Sequence, residues 1–234
     1  MTLNLRQLKK HIPNTITCCN LISGCIATYF AFQGNYAEAL LFIILGAVFD
    51  FFDGMTARLL HVSSPIGKEL DSLADCITFG FAPSAVVFSY LCTFHIHQVW
   101  VPFLSFVMAA FSALRLAKFN LDERQALGFI GLPTPANALF WAALITGISQ
   151  SSFAMPPYTI YILVCLLAVS CYLLVSEIPM FALKFKTWGW KGNEVKYIFV
   201  ASCLPILLFF GVFGLSVIIA WYVLLSVFTQ QKLQ

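Results

Sequence analysis

Long apolar stretches alternate with short polar ones from one end of the chain to the other. Eight apolar segments stand out, at about residues 15 to 33, 37 to 60, 69 to 93, 99 to 118, 134 to 151, 157 to 176, 196 to 212 and 214 to 230. Each is close to the roughly 20 residues with which an α-helix crosses about 30 Å of hydrocarbon. The pattern predicts an all-α fold, a polytopic transmembrane helical bundle of about eight spans. The run from Tyr197 to Phe228 leaves two options, one long span or a tight hairpin broken near Gly211 and Gly214.

The polar connections separate these options and orient the bundle. With eight spans, the odd-numbered connections ("QGNYAE", "FHIHQ", "SSFAMP" and the turn from Gly211 to Gly214) carry no Lys or Arg. All 13 Lys and Arg fall in the N-terminus, the C-terminus, or the even-numbered connections with their helix ends. The positive-inside rule then places both termini in the cytoplasm. A seven-span chain would put Lys232 on the opposite side, so charge favours the hairpin. The N-terminal "MTLNLRQLKKHIPN" is polar and basic, and no small-residue cleavage site is clear in the segment behind it, so the first segment is expected to remain as a span.

Composition agrees with the pattern. Of 234 residues, 60% are hydrophobic and only 10% charged, which places the chain in lipid rather than water. One membrane domain, residues 1 to 234, is expected. A net charge of +3 is too small to suggest nucleic acid. The 8 cysteines, Cys18, Cys19, Cys25, Cys76, Cys92, Cys165, Cys171 and Cys203, form no Cys-x-x-Cys pair and read as small buried hydrophobes. The loop "KFKTWGWKGNEVK", residues 184 to 196, mixes cations with Trp188 and Trp190, as suits a membrane interface.

Against this background four aspartates need an explanation. Asp50, Asp53, Asp71 and Asp75 fall within 26 residues of apolar chain, and each costs on the order of 2.5 to 3.5 kcal/mol at the centre of a membrane helix. Helical periodicity puts Asp50, Asp53, Gly54, Ala57 and Arg58 on one face, and Gly67, Asp71, Asp75 and Thr78 on a face of the next helix. Both faces sit beside the turn from Arg58 to Lys68, so the four carboxylates can converge. Hard oxygen ligands without His or Cys favour Mg²⁺, Mn²⁺ or Ca²⁺, and paired ions of this kind recur in phosphoryl chemistry. Gly54 and Ala57 leave room for a ligand beside the helix, while Arg58 offers a fork of donors to phosphate. Plainer roles also exist: close helix packing for Gly54 and Ala57, and a membrane-boundary charge for Arg58. Intramembrane acids also serve cation transporters, but here all four lie towards one side.

The stretch "DFFDGMTARLLHVSSPIGKELDSLAD" has the form D-x2-D-G-x2-A-R-x8-G-x3-D-x3-D and resembles the signature of the CDP-alcohol phosphatidyltransferases. The resemblance implies a membrane enzyme acting on a CDP-linked lipid, with Asp50, Asp53, Asp71 and Asp75 holding two divalent cations. It further implies that Asp75 accepts the proton of the incoming alcohol, and that Gly54, Arg58 and Ser64 contact the nucleotide and its phosphates. Upstream, "PNTIT" is similar to the family's first-helix element, making Asn14 and Thr17 candidates for the nucleotide pocket; Asn14 reads equally well as a helix N-cap. "DSLADCITFGFAPS" and "RLAKFN" followed by "FIGLPTPANA" resemble the CDP-diacylglycerol-serine O-phosphatidyltransferases. The motifs lie in residues 13 to 138, and residues 139 to 234 add only helical character.

Transfer of a phosphatidyl group from CDP-diacylglycerol to L-serine is therefore expected, at the cytoplasmic face of the inner membrane and by a homodimer. Glycerol 3-phosphate or an inositol phosphate is the alternative acceptor. Serine's carboxylate calls for a cation, and Arg115, Lys118 and Arg124 lie in the cytoplasmic connection with the subfamily-like motif; Arg115 is first choice, although all three also suit a topology signal. His95 and His97 fall on the far side of the membrane in this reading and are expected to hold no metal. Glu177 is expected to cap a helix or pair with a loop cation.

Overall fold

A computed structural model describes residues 5–62, 64–94, 98–122, 129–151, 155–181, 189 and 193–230. Nine α-helices account for most of the described residues: α1 (Leu5–Phe32), α2 (Tyr36–Leu59), α3 (Pro65–Asp75), α4 (Ala82–Cys92), α5 (Ser105–Leu121), α6 (Thr134–Gln150), α7 (Thr159–Val175), α8 (Glu194–Phe210) and α9 (Gly214–Gln230). A π-helical turn, Cys76–Phe81, joins α3 to α4, so Pro65–Cys92 forms one continuous rod. The departure from helix is a two-residue ladder, β1 (Phe129–Ile130) antiparallel to β2 (Pro179–Met180).

Among the described residues, five stretches are long and apolar enough to cross a membrane: His11–Phe32, Tyr36–Leu59, Pro65–Cys92, Val101–Leu121 and Glu194–Thr229. The last is not straight. A 3₁₀ turn at Gly211–Phe213 interrupts it, with Gly211 at φ +56°, and the Phe199 and Tyr222 rings pack with centroids 5.9 Å apart. In one straight helix their separation would be about 35 Å at 1.5 Å per residue, so α8 and α9 fold back as a hairpin. Leu208 and Phe209 on α8 stay 78% and 83% exposed, an outward face suited to hydrocarbon.

The sequence pattern placed most helix ends within a few residues. Its largest error is at α1, which begins at Leu5 rather than near residue 15. The intervening "LRQLKKH" is built mainly of good helix formers, and the helix continues through Pro13. Asn14 therefore lies inside a helix and is not its N-cap.

The interior is organised around α6, whose Trp141, Ala142, Ala143 and Ile145 are fully buried and which packs on α2, α4 and α9. α1, α2 and the π turn approach one another closely at two glycines. A Cβ on Gly24 would overlap the hydroxyl and main chain of Thr78, and one on Gly46 would overlap the Thr78 methyl. Small residues at such crossings let backbones meet where side chains would hold them apart.

Candidate metal centre and substrate cavity

The acidic residues are brought together by a short turn. After α2, His61 takes a left-handed conformation (φ +49°), and Ser64 starts α3 by accepting a hydrogen bond from the Gly67 N–H at 2.9 Å, with Pro65 in the first turn. Asp50 and Asp53, one turn apart on α2, meet Asp71 from α3. One carboxylate oxygen from each of the three lies within 4.8 Å of the others.

Among the described residues, a neighbouring hydroxyl holds one of these acids. The Thr17 hydroxyl is 2.6 Å from Asp53 Oδ2 and 3.0 Å from the Pro13 carbonyl; with one proton to donate, it favours the stronger carboxylate acceptor. Asp71 Oδ1 is buried with no partner among the described residues. A convergent set of hard oxygens, one of them unsatisfied, fits a divalent cation. Asp75 lies outside the trio, one turn further along α3. It is buried, close enough to Asp50 and Asp71 to feel their charges, and accepts a hydrogen bond from Asn20 Nδ2 at 3.1 Å.

A cavity of about 250 Å³ opens beside the trio, lined by Asn14 and Thr17 of α1, Asp53, Gly54 and Ala57 of α2, and Ser64, Gly67, Lys68 and Asp71 from the start of α3. A Cβ on Gly54 would meet nothing within 4 Å, so the missing side chain contributes open space rather than helix packing. Of the six residues expected at the nucleotide site as contacts or as space beside it, Asn14, Thr17, Gly54, Ala57, Arg58 and Ser64, five thus line one cavity. The sixth, Arg58, is exposed at the end of α2 and is not among the lining residues.

Lys68 and Asn20 were missed by sequence reasoning. Lys68 lines the cavity, with its Nζ donating to the Asn120 carbonyl at 3.2 Å; Asn120 Nδ2 in turn donates to Ser72 Oγ at 2.7 Å. Asn120 of "RLAKFN" therefore ties α5 to α3. No local pattern marked Lys68, because its place depends on the α3–α5 contact. Asn20 had a signal: Asn14, Thr17 and Asn20 follow at three-residue steps, a polar stripe on an apolar helix.

Arg115 and Lys118 line a different cavity, of about 290 Å³, together with Asp122, Ser176 and Glu177. Arg115 is buried, its Nε donates to the Leu132 carbonyl at 2.8 Å, and its Nη2 has no partner among the described residues. Gly131 makes that contact possible: it sits at φ +75°, and a Cβ there would come within 2.9 Å of the Leu174 and Ser176 carbonyls. Arg124, His95, His97, Trp188 and Trp190 lie outside the described residues.

Fold and site together fit a polytopic helical membrane protein with a convergent carboxylate cluster, of a kind suited to a divalent cation, beside an open cavity. The chain belongs to the CDP-alcohol phosphatidyltransferase family, whose profile matches residues 10–172. Among its relatives, a Bacillus subtilis (strain 168) protein named CDP-diacylglycerol--serine O-phosphatidyltransferase is 37% identical over 172 residues, 72% of this chain and 88% of the relative. A protein of the same name from Methanocaldococcus jannaschii is 31% identical over 188 residues, covering 74% and 87%. A third so named, from Helicobacter pylori (strain 26695), is 33% identical over 129 residues, about half of each chain at 54%.

Proposed function

We propose that this protein transfers the phosphatidyl group of CDP-diacylglycerol to L-serine, forming phosphatidylserine and CMP. The observation that carries the proposal is the convergence of Asp50, Asp53 and Asp71 beside a cavity with open space at Gly54; the names of the relatives supply the acceptor. Asn14, Thr17, Gly54, Ala57 and Ser64 receive the CDP headgroup, and Arg58 reaches the phosphates from the end of α2. Held by Asp50, Asp53, Asp71 and Asp75, two divalent cations (Mg²⁺, Mn²⁺ or Ca²⁺) would supply Lewis-acid polarisation of the pyrophosphate and offset charge on the leaving CMP.

The serine hydroxyl oxygen forms the new bond to the phosphorus that bears the diacylglycerol. The bond from that phosphorus to the bridging oxygen breaks, CMP leaves with the electron pair, and Asp75 takes the hydroxyl proton. Holding donor and acceptor in line lowers the entropic part of the barrier. The reading includes one domain over residues 1 to 234 with its chemistry in 13 to 138, eight spans, cytoplasmic termini and a cavity open to the cytoplasm, supported by the one-sided Lys and Arg distribution. A homodimer in the inner membrane belongs to the same reading.

The deciding experiment incubates purified protein with CDP-diacylglycerol, Mn²⁺ or Mg²⁺, and either serine or glycerol 3-phosphate, measuring CMP and identifying the lipid. Phosphatidylserine is the expected product; phosphatidylglycerophosphate without phosphatidylserine would overturn the acceptor assignment. Arg115, with Lys118 and Arg124 as secondary candidates, is proposed to bind the serine carboxylate. Arg115→Ala should then raise the KM for serine roughly 10- to 100-fold, the effect of losing a charge-assisted hydrogen bond, with the KM for CDP-diacylglycerol little changed. An unaltered KM for serine removes Arg115 from the site.

A further inference from the structure

The four aspartates are not equally supported. Asp50, Asp53 and Asp71 are gathered by one another around a common centre, whereas Asp75 stands apart from that centre and is fixed from α1. Asn20 is fully buried, and its Nδ2 donates to Asp75 Oδ1 at 3.1 Å. The opposite amide orientation would set an oxygen against a carboxylate oxygen, so the donor assignment follows from charge. Asn20 is itself held from a second direction, because its main-chain carbonyl accepts the Thr78 hydroxyl at 3.0 Å.

Thr78 lies in the π-helical turn that starts directly after Asp75. In a regular helix Thr78 would follow Asp75 by three residues on the same face; the wider π turn changes that relation and leaves Thr78 packed against Gly24 and Gly46. Such turns add a residue to the helical repeat and recur at functional sites. Gly46 also bears on Asn20 directly, since a Cβ there would lie 3.0 Å from Asn20 Oδ1. Asn20 and Thr78 thus bond α1 to the two sides of the Asp75–Cys76 junction, and the two glycines let the helices come close enough for both bonds.

We infer that Asn20 is a positioning residue for Asp75: its amide holds one carboxylate oxygen so that the other is presented to the reaction centre. The inference rests on the role of Asp75 in the proposed transfer and deepens it. An amide suits this task because it donates without ionising, so it fixes the carboxylate without competing for the proton. Removing the donor frees the Asp75 rotamer, in both its roles as base and as fourth carboxylate, while the cavity lining and the convergence of Asp50, Asp53 and Asp71 stay in place. The loss should therefore appear in turnover and not in donor binding.

The test compares Asn20→Leu, which is similar in size but has no donor, with Asn20→Gln, which keeps an amide. For Asn20→Leu, kcat should fall roughly 10- to 100-fold, as for loss of a hydrogen bond to a charged group. The KM values for CDP-diacylglycerol and serine should stay within about threefold, by the criterion that separates transition-state from uniform binding effects. Equilibrium binding of CDP-diacylglycerol should be unchanged, and Asn20→Gln should recover part of the lost kcat.

Equal damage in Asn20→Leu and Asn20→Gln, or a loss explained by weaker donor binding, would overturn the positioning role and leave Asn20 as a packing residue. Should Asn20→Leu fail to fold, the smaller Asn20→Ala replaces it in the comparison. The parent reading is tested apart, by Asp75→Asn. Full turnover in that variant removes the base, whereas an inactive Asp75→Asn beside a fully active Asn20→Leu removes only the role of Asn20.

Discussion

Asp75→Asn is expected to reduce formation of CMP and phosphatidylserine by roughly 1,000-fold, within the 10² to 10⁴ that a positioned proton acceptor typically contributes. Equilibrium binding of CDP-diacylglycerol is expected to survive. The distinction follows from placement: Asp75 lies outside the trio of Asp50, Asp53 and Asp71 and is absent from the lining of the headgroup cavity. The replacement keeps the shape of the side chain, and an amide oxygen can still accept from Asn20. What disappears is the ability to take a proton. A variant retaining more than a tenth of the turnover would end the assignment of Asp75 as base. Loss of donor binding equal to the loss of turnover would show that Asp75 acts chiefly in assembling the cation site.

Gly24→Ala is expected to produce the largest loss of stability among single methyl additions. The new Cβ would stand 2.7 Å from Thr78 Cα and 2.9 Å from Thr78 N, and main-chain atoms inside a helix cannot swing aside as a flexible side chain can. The helices must separate, and overpacking of this kind typically costs about 1 to 3 kcal/mol or more. Because α1 carries Asn14, Thr17 and Asn20, its displacement should also lower turnover more than about tenfold, by the sensitivity of catalysis to misplacements near 1 Å. Gly54→Ala provides the contrast, since its Cβ meets nothing within 4 Å. That variant should fold normally, with a raised KM for CDP-diacylglycerol because the methyl enters the cavity. Thermal unfolding in detergent, followed by the acceptor assay, checks both; a Gly24→Ala protein as stable as its parent would show that the α1–Thr78 contact yields easily.

Much of the candidate site was legible because its residues are close in sequence. Asp50, Asp53 and Asp71 lie on two helices joined by a short turn, so 3.6-residue periodicity alone brings their faces together. Gly54, Ala57 and Ser64 come from the same stretch and line the same cavity. Asn14 and Thr17 were reached through resemblance to the family's first-helix element, and the structure places both in that cavity. Arg58 fared differently: the periodicity that puts it near Asp50 does not decide whether a long side chain turns towards the cavity or away, and it is exposed. Arg115 is close enough to Asp75 to feel its charge, as its place near the membrane end of α5 suggests, but it lines a cavity separate from that of the CDP headgroup, with its Nε on the Leu132 carbonyl.

The amino-acid sequence by itself determined the helices, their approximate ends and the acidic faces of α2 and α3, because these depend on local periodicity and on the cost of charge in lipid. Charge already favoured a hairpin of α8 and α9, which the Phe199–Tyr222 ring contact bears out; tertiary structure alone decided that Lys68 is tied to Asn120 and that Asn20 meets Asp75. Each of these contacts depends on how closely two helices approach and how they are rotated about their axes. For the Asn20–Asp75 contact those two quantities are set by the small residues at the crossing, Gly24 and Gly46 against Thr78, and by the π turn that begins directly after Asp75.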